Sequence, residues 1–584
     1  MGKTVFALTC ALFVLGLHAC GAPLAEEGAL ATQVAAELFA TQTAAASLIP
    51  IPIAGQSSCR LISITLAREA PSPSFDYTAE GFAPGESVAV NLLEAGGDTT
   101  KEVRRADSQG RMEGTITRSA SGASLTAPTE MTFSMEGLDS QCAVSRSVSL
   151  LPAGSSQDPG RVASERLIAQ FEPSWIPELV AFSPSSQRVA LGVREDNKRF
   201  VVLDGERGKP YAAVSALLFS PNNQRVAYVA REGEQQFAVV DGEEGKPYAA
   251  IGEAGILFSP DSRRVAYVAQ SGGEQFVVLD GEEGLPYERV RHLVFSPDSR
   301  RMAYVAHAGE KQFVVVNAEE GKPYDGVDDP SFSPDSRRVA HIATAGNRRL
   351  VVVDGEEQEL YDDVGFLLFS PNSLRVAYVA QARDQEFVVL DGEEGKRYND
   401  IGFLLFSPDS LRVAYKASVE GKWLAVVDGK EEKPYDSIGR LFFSPDGQRV
   451  AYAAREGEKW FVVVNGKERK PYDGIGEGSF QFSPDSQQVA YAARAGDKWF
   501  VVVSGEEGKP YEGIGEGSLL FSPDSRRVAY VAHSGDKEFV VVGLEERRPY
   551  NVIAGGKIVF DAADRFHYLA LQGSEIYLVE ENAN

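Results

Sequence analysis

Residues 256–290 contain Ile256-Leu257-Phe258-Ser259-Pro260-Asp261-Ser262-Arg263-Arg264-Val265-Ala266-Tyr267-Val268-Ala269, then Ser271-Gly272-Gly273-Glu274 and Phe276-Val277-Val278-Leu279-Asp280. Gly281-Glu282-Glu283-Gly284 and Pro286-Tyr287-Glu288-Arg289-Val290 complete the stretch. Runs rich in Val, Phe and Tyr alternate with Ser, Pro, Asp and Gly, the pattern of four short β-strands joined by tight turns. Pro260 presets φ at the second turn position, and Asp261 carries a side chain that hydrogen-bonds nearby backbone. No run is long enough, or periodic enough at 3.6 residues, to form a helix.

The same unit is written many times. Phe-Ser-Pro begins at Phe182, Phe219, Phe258, Phe295, Phe332, Phe369, Phe406, Phe443, Phe482 and Phe521, always 37 or 39 residues apart, and a degenerate Phe560-Asp561-Ala562 follows. A second marker, the Tyr of Lys-Pro-Tyr, keeps the same beat from Tyr211 to Tyr550. Four strands in about 40 residues make a propeller blade and exclude the helical repeats. Eleven units exceed the four to eight blades usual in one ring. The expectation is an all-β chain whose eleven blades form one large ring or two rings of five and six. No junction holds more than a two-residue insertion, which favours one ring. The last unit stops after its third strand, and a strand near Arg166 to Phe171 would supply the fourth and close the ring.

The form Phe-Ser-Pro-Asp-Ser-x-Arg-Val-Ala-Tyr resembles the TolB-type, WD-like propeller repeat of bacterial envelope proteins, over about 400 residues. That resemblance implies a fold and an extracytoplasmic setting, and says little about ligand, because the repeat serves many functions. Within it, Arg fills the sixth position after Phe in nine of the first ten units, and Asp or Asn fills the third in nine. A structural Arg–Asp lattice around the ring explains both. The acidic turns of the type Asp280-Gly281-Glu282-Glu283 are expected on one rim.

Upstream, residues 1–19 read as a targeting segment: Lys3, an apolar run from Val5 to Leu17, then Leu17-His18-Ala19-Cys20-Gly21. The ending resembles the bacterial lipoprotein signal, which implies lipidation of Cys20. His18 is unusual there, and a simple cleaved secretion signal is the alternative. Residues 20–58, rich in Ala and Thr, read as a tether. Residues 59–152 alternate in short runs with turn clusters, the pattern of a β-sandwich of about seven strands. The stretch Gly81-Phe82-Ala83-Pro84-Gly85-Glu86 resembles bacterial immunoglobulin-like modules. Cys59 and Cys142, the pair left after processing, are expected to form a disulfide in an oxidising compartment, two unpaired thiols being the alternative. A linker at 153–165 precedes the propeller at 166–581.

The chain has 584 residues, 83 Asp and Glu against 58 Lys and Arg, and a net charge of −25. Such an acidic balance argues against nucleic-acid binding, which needs clustered cations. No hydrolase elbow, P-loop, zinc-protease helix or Cys pair of metal-binding spacing appears. No catalytic residue, metal or cofactor is therefore expected. The residue before the third-strand apolar run is Arg, Gln or Glu in most units but Trp423, Trp460 and Trp499 in three consecutive ones. This row is the candidate ligand patch, for a peptide or sugar rings, with blade-to-blade packing as the alternative. The expected function is an exported, lipid-anchored envelope protein whose propeller is a protein-binding or scaffolding platform. Membrane contact is expected through the lipid alone. A glycan-binding or glycan-active propeller is the rival reading, and a structural spacer a third.

Overall fold

The computed structural model describes residues 60–68, 74–80, 86–94, 99–108, 111–117, 129–137, 143–150, 163–476 and 478–583, and every regular element among them is a β-strand. Cys20, Cys59 and Cys142 lie outside the described residues. No helix among the described residues is long and apolar enough to cross a membrane. The chain falls into two compact units. One runs from Ser174 to Ile558, and the other joins the segment ending at Pro173 to Val559–Asn584.

In the first unit each repeat is one antiparallel sheet in simple chain order. The third blade shows the plan: Ala250–Phe258, Val265–Ser271, Glu274–Leu279 and the two-residue Glu282–Glu283 pair successively. Ten sheets of this kind follow one another from Ile176 to Glu546. First strands of neighbouring blades touch one another, whereas the fourth strands are short and exposed. The first strands therefore form the inner wall. In blades 5, 8, 9 and 10 this strand is split in two, as Gly326–Val327 and Ser331–Phe332 are in blade 5.

The Ser-Pro-Asp turn is the joint between blades. Ser259 Oγ donates to Asp261 Oδ1 at 2.6 Å and accepts from the Arg264 amide at 3.0 Å, closing the turn on itself. The Asp261 amide then donates to Ser299 Oγ of the next blade at 2.9 Å. The same link joins Asp298 to Ser336, Asp335 to Ser373, Asn372 to Ser410, Asp446 to Ser486 and Asp485 to Ser525. The recurrent Arg acts twice. Arg225 pairs with Asp241 at 2.8 Å in its own blade and donates to the Ser262 and Arg263 carbonyls of the next. Its acidic partner is thus the Asp of the turn between strands three and four. The Asp of the Ser-Pro-Asp turn, which the sequence pattern had paired with it, caps its own turn instead.

The Tyr marker is a second joint. Tyr248, at the end of blade 2, packs edge-on against Tyr267 and Phe276 of blade 3 and donates to Glu283 Oε1 at 3.0 Å. Such a buried side chain is worth about 1.5–3 kcal/mol of apolar burial. Contacts between blades continue to the tenth junction. Ile553 donates to Glu538 Oε2 at 2.7 Å across the tenth junction. Lys557 Nζ then donates to the Pro184 carbonyl of blade 1, and Gly555 lies against the Phe182 ring. One ring, not two of five and six, satisfies these contacts.

The sheet of the eleventh blade takes Val552–Ala562, Arg565–Gln572 and Glu575–Asn582 in order, then Ala163–Gln170 from the other end of the propeller sequence. Glu575 pairs with Gln170, Val579 with Glu165 and Glu581 with Ala163. This is the expected closing strand, displaced by about three residues. The same sheet continues through Ser63–Arg166 pairing into Arg60–Arg68, Ser74–Glu80 and Met112–Thr117. A four-stranded sheet pairs Thr99–Arg105, Ser87–Glu94, Thr129–Gly137 and Ala143–Leu150 in that order.

Blade 5 departs from the frame at His341, which takes the place of the recurrent second-strand Tyr and meets Tyr324 edge-on at 6.1 Å. It is buried, its Nε2 has no hydrogen-bond partner, and burial pushes its pKa down to about 4. A base with a depressed folded pKa stabilises the fold fully above the unfolded value near 6.5 and less as pH falls toward 4. Between pH 7.5 and 5 the wild type should lose about 2 kcal/mol more stability than His341→Tyr. Denaturant unfolding at both pH values checks this; equal losses would refute it.

Candidate functional site

The inner wall is where the repeat stops repeating. Each continuous inner strand of blades 2, 3, 4, 6 and 7 carries a break in its ladder, between Ser215 and Leu218, Ile251 and Ile256, Arg291 and Val294, Gly365 and Leu368, and Gly402 and Leu405. Ala216, His292, Phe366 and Phe403 occupy four of these breaks with φ between 52° and 55°. A bulge frees a residue from strand alternation and re-aims its side chain. Positive φ in a bulky residue costs about 1–3 kcal/mol and persists only where the surroundings hold it. The ladder pairs flanking each break supply that hold. The bulge side chain is released from the frame, and its chemistry changes from blade to blade.

Blades 4 and 5 present charges that are tied off. His292 Nδ1 stands 2.6 Å from Asp329 Oδ1, and burial still holds the imidazole below its ordinary pKa. Arg291 donates to Gln312 Oε1 at 2.7 Å and to the Val327 carbonyl at 2.8 Å. Arg349 pairs with Asp328 and, at 2.8 Å, with Asp363. Asp328 and Asp329 are adjacent carboxylates, a pair that no other blade has at this place, and both are already engaged, Asp328 by Arg349 and Asp329 by His292. That is not how a pair of carboxylates is set for glycoside cleavage, where the acid must keep its proton.

Blades 6 and 7 present Phe366 and Phe403, both exposed. Beside Phe403 lies Lys416, on a second-strand position that the other blades fill with Val, Ile, Leu, Ala or Gly. Its Nζ is 4.8 Å from the Phe403 ring centroid and 4.5 Å from that of Trp423. A Cβ on Gly402 would fall 2.7 Å from Lys416 Cε, so the missing side chain at 402 is what admits the lysine. Desolvation lowers the Lys416 pKa, opposed by Asp400.

The tryptophan row stands on the third strands of blades 7, 8 and 9. Trp423, Trp460 and Trp499 are half-buried on Lys422–Val427, Lys459–Val464 and Lys498–Val503. In five other blades this position holds an acceptor for the next blade's inner strand, as Gln236 for Ile251 N, Gln275 for Val290 N and Glu386 for Ile401 N. Trp423 packs with Ile438, Leu441 and Tyr452 in the layer between blades 7 and 8, and Arg494 stands 5.9 Å from the Trp499 ring. Trp423 thus contributes to the layer between blades 7 and 8. Sequence reasoning passed over Phe366, Phe403 and Lys416, although each departs from its repeat position as plainly as the Trp residues do.

The acidic turns are partly consumed by the frame. Asp241 pairs with Arg225, and Glu244 with Lys209 and Tyr211. Among the described residues no group of three or more His, Cys, Asp or Glu side chains is placed to hold a metal ion.

No protein-family model matches this chain, and no curated protein does. Among solved structures it is similar to a eukaryotic initiation factor, at 14% identity and TM-score 0.34, over 58% of this chain and 96% of that one. It is also similar to the β-propeller domain of the Trilobed protease from Pyrococcus furiosus, at 14% identity and TM-score 0.23, over 42% and 91%. TolB from Acinetobacter baumannii matches at 12% identity and TM-score 0.18, over 59% and 76%. These likenesses concern the propeller fold and nothing further.

If Lys416 is a cost borne by the frame, Lys416→Val should raise stability, because it restores the recurrent side chain and removes a desolvated charge. Trp423→Ala should instead cost about 2 kcal/mol, less than a full core truncation because the ring is half-buried. Guanidinium unfolding of the two variants distinguishes them; destabilisation by Lys416→Val would make the lysine structural.

Proposed function

We propose that this propeller is a binding and scaffolding platform for a protein partner, engaged along the inner wall without bond-making. One observation carries the reading. The turn, joint and core positions are written alike in blade after blade, while the inner-wall side chains Ala216, His292, Asp329, Phe366, Phe403 and Arg440 differ in size, charge and polarity. A rigid ring holding a different group at each blade suits recognition at several points of one partner. The proposal extends to location. A lipoprotein-like ending at Leu17-His18-Ala19-Cys20-Gly21 supports export and lipid anchoring through Cys20. Incorporation of labelled palmitate into the wild type but not into Cys20→Ser is the expected result; equal labelling would remove the anchor from the reading.

The platform itself is tested by capture on the immobilised full chain from an envelope extract of the native cell. Ala216→Arg with Asp329→Arg blocks the wall in blades 2 and 5, and Glu282→Arg alters an exposed outer strand as a control. A protein retained by the wild type and the control, and lost from the wall variant, is the expected outcome. Retention on all three would move the site off the wall. Recovery of glycan alone would put the rival reading first.

A further inference from the structure

We infer that blades 6 to 8 carry a docking site for an acidic, apolar peptide segment of a partner protein. The inference rests on the platform reading and adds an address and a chemistry to it. Two separate repeat positions change together in the same two blades. The inner-wall bulge becomes Phe366 and Phe403, 52% and 43% exposed. The fifth residue after the framework Phe becomes Leu374 and Leu411, 78% and 73% exposed, where the other eight of the first ten units carry Arg or Gln. Each Leu stands in the turn that ends the inner strand bearing the corresponding Phe. The turns of the two blades are joined by the Asn372–Ser410 bond. The remaining exposed large apolar residues of this unit, Leu285, Leu360 and Leu544, are scattered over other blades. Four exposed apolar side chains on two adjoining blades, at positions that are polar or small elsewhere, mark a surface kept for a partner.

Charge says what kind of partner. Lys416 adjoins this surface at Phe403, Arg440 takes the equivalent inner-strand position in the next blade, and among the described residues neither has a carboxylate at salt-bridge distance. Two cations elsewhere on the ring are paired: Arg194 with Glu178 at 2.8 Å, and Arg349 with Asp328 and Asp363. The Lys416 ammonium is held by two aromatic faces, and Arg440 lies 5.7 Å from the Phe442 ring. A cation held by aromatic faces in partly desolvated surroundings gains most from an incoming anion. The joint beside them is also the one where Gly447 replaces the linking Ser, so that its turn offers no hydroxyl to Asp409. The apolar positions run from the turn to mid-strand over two blades, with Lys416 beside Phe403 and Arg440 in the next blade. An extended chain with large apolar side chains and carboxylates spans such a row, as peptide-binding surfaces use spaced pockets.

The test pans a random peptide library against the full chain. The enriched peptides are then titrated by fluorescence anisotropy with variants whose melts match the wild type. Enriched sequences should combine Asp or Glu with Leu, Phe or other large apolar residues. Their affinity should fall about tenfold or more with Phe403→Ser, Leu411→Ser and Lys416→Met. Leu285→Ser, far along the ring, should leave it unchanged. Replacing the acids of the peptide by amides should weaken wild-type binding while leaving Lys416→Met indifferent to the change. No enrichment, basic sequences, or acidic peptides that bind all variants alike would overturn the proposal. A self-associated chain that Leu411→Ser makes monomeric would assign the surface to a second copy instead and also overturn it. Any of these failures leaves the platform reading intact if partner capture still depends on Ala216 and Asp329.

Discussion

The hydrogen bond from the turn amide to the Ser hydroxyl of the following blade, present at seven turns, is the contact on which the ring depends. A four-stranded sheet with apolar residues on both faces cannot stand alone, because each face needs another sheet against it. The turn link sets neighbouring sheets at a fixed distance at one end. The Tyr staple, Tyr248 to Glu283 and its equivalents, does the same by reaching from one blade into the next. Between these two joints the apolar layers close, as where Val268, Val277 and Tyr287 of blade 3 meet Val290 and Tyr304 of blade 4. Each link is worth about 1 kcal/mol by itself. Their number, and the return of the series to Pro184, make the assembly stiff.

A frame satisfied by its turns and joints leaves the inner strand with little to do for stability. The strand can then afford a bulge, a positive φ at Phe366 or Phe403, and a side chain of any kind. Features that work against the fold gather along it: strained bulges, exposed rings and a desolvated Lys416. Functional sites collect such costs, because recognition needs groups that are not already satisfied within the protein. The contrast with His292–Asp329 and Arg349–Asp328 is informative, since there the same wall is polar and closed on itself.

The framework was legible in the sequence because ten units place like residues in like surroundings, so that markers such as Phe258 and Tyr287 declare their roles by recurrence. Recurrence does not say who pairs with whom. The pattern suggested that Arg264 pairs with the Asp of the Ser-Pro-Asp turn. The observed partner is Asp280, which comes near only when the third strand returns beside the second. Tryptophan drew attention at positions 423, 460 and 499 because it is rare, while Phe366 and Phe403 were hidden among many phenylalanines. Their exposure depends on a ladder break that no residue type announces.

The amino-acid sequence by itself determined the all-β class, the eleven units, the turn chemistry and the need for a closing strand, since these follow from local propensity and periodicity. Only the tertiary structure decided that the ring is single, which Asp pairs with each Arg, and which side chains the inner wall exposes. Those outcomes depend on contacts between residues 15 to several hundred positions apart, as in Asp280 with Val265 and Lys557 with Pro184. Local pattern carries no distance information across such separations. Closure of the blades against one another is what supplies it.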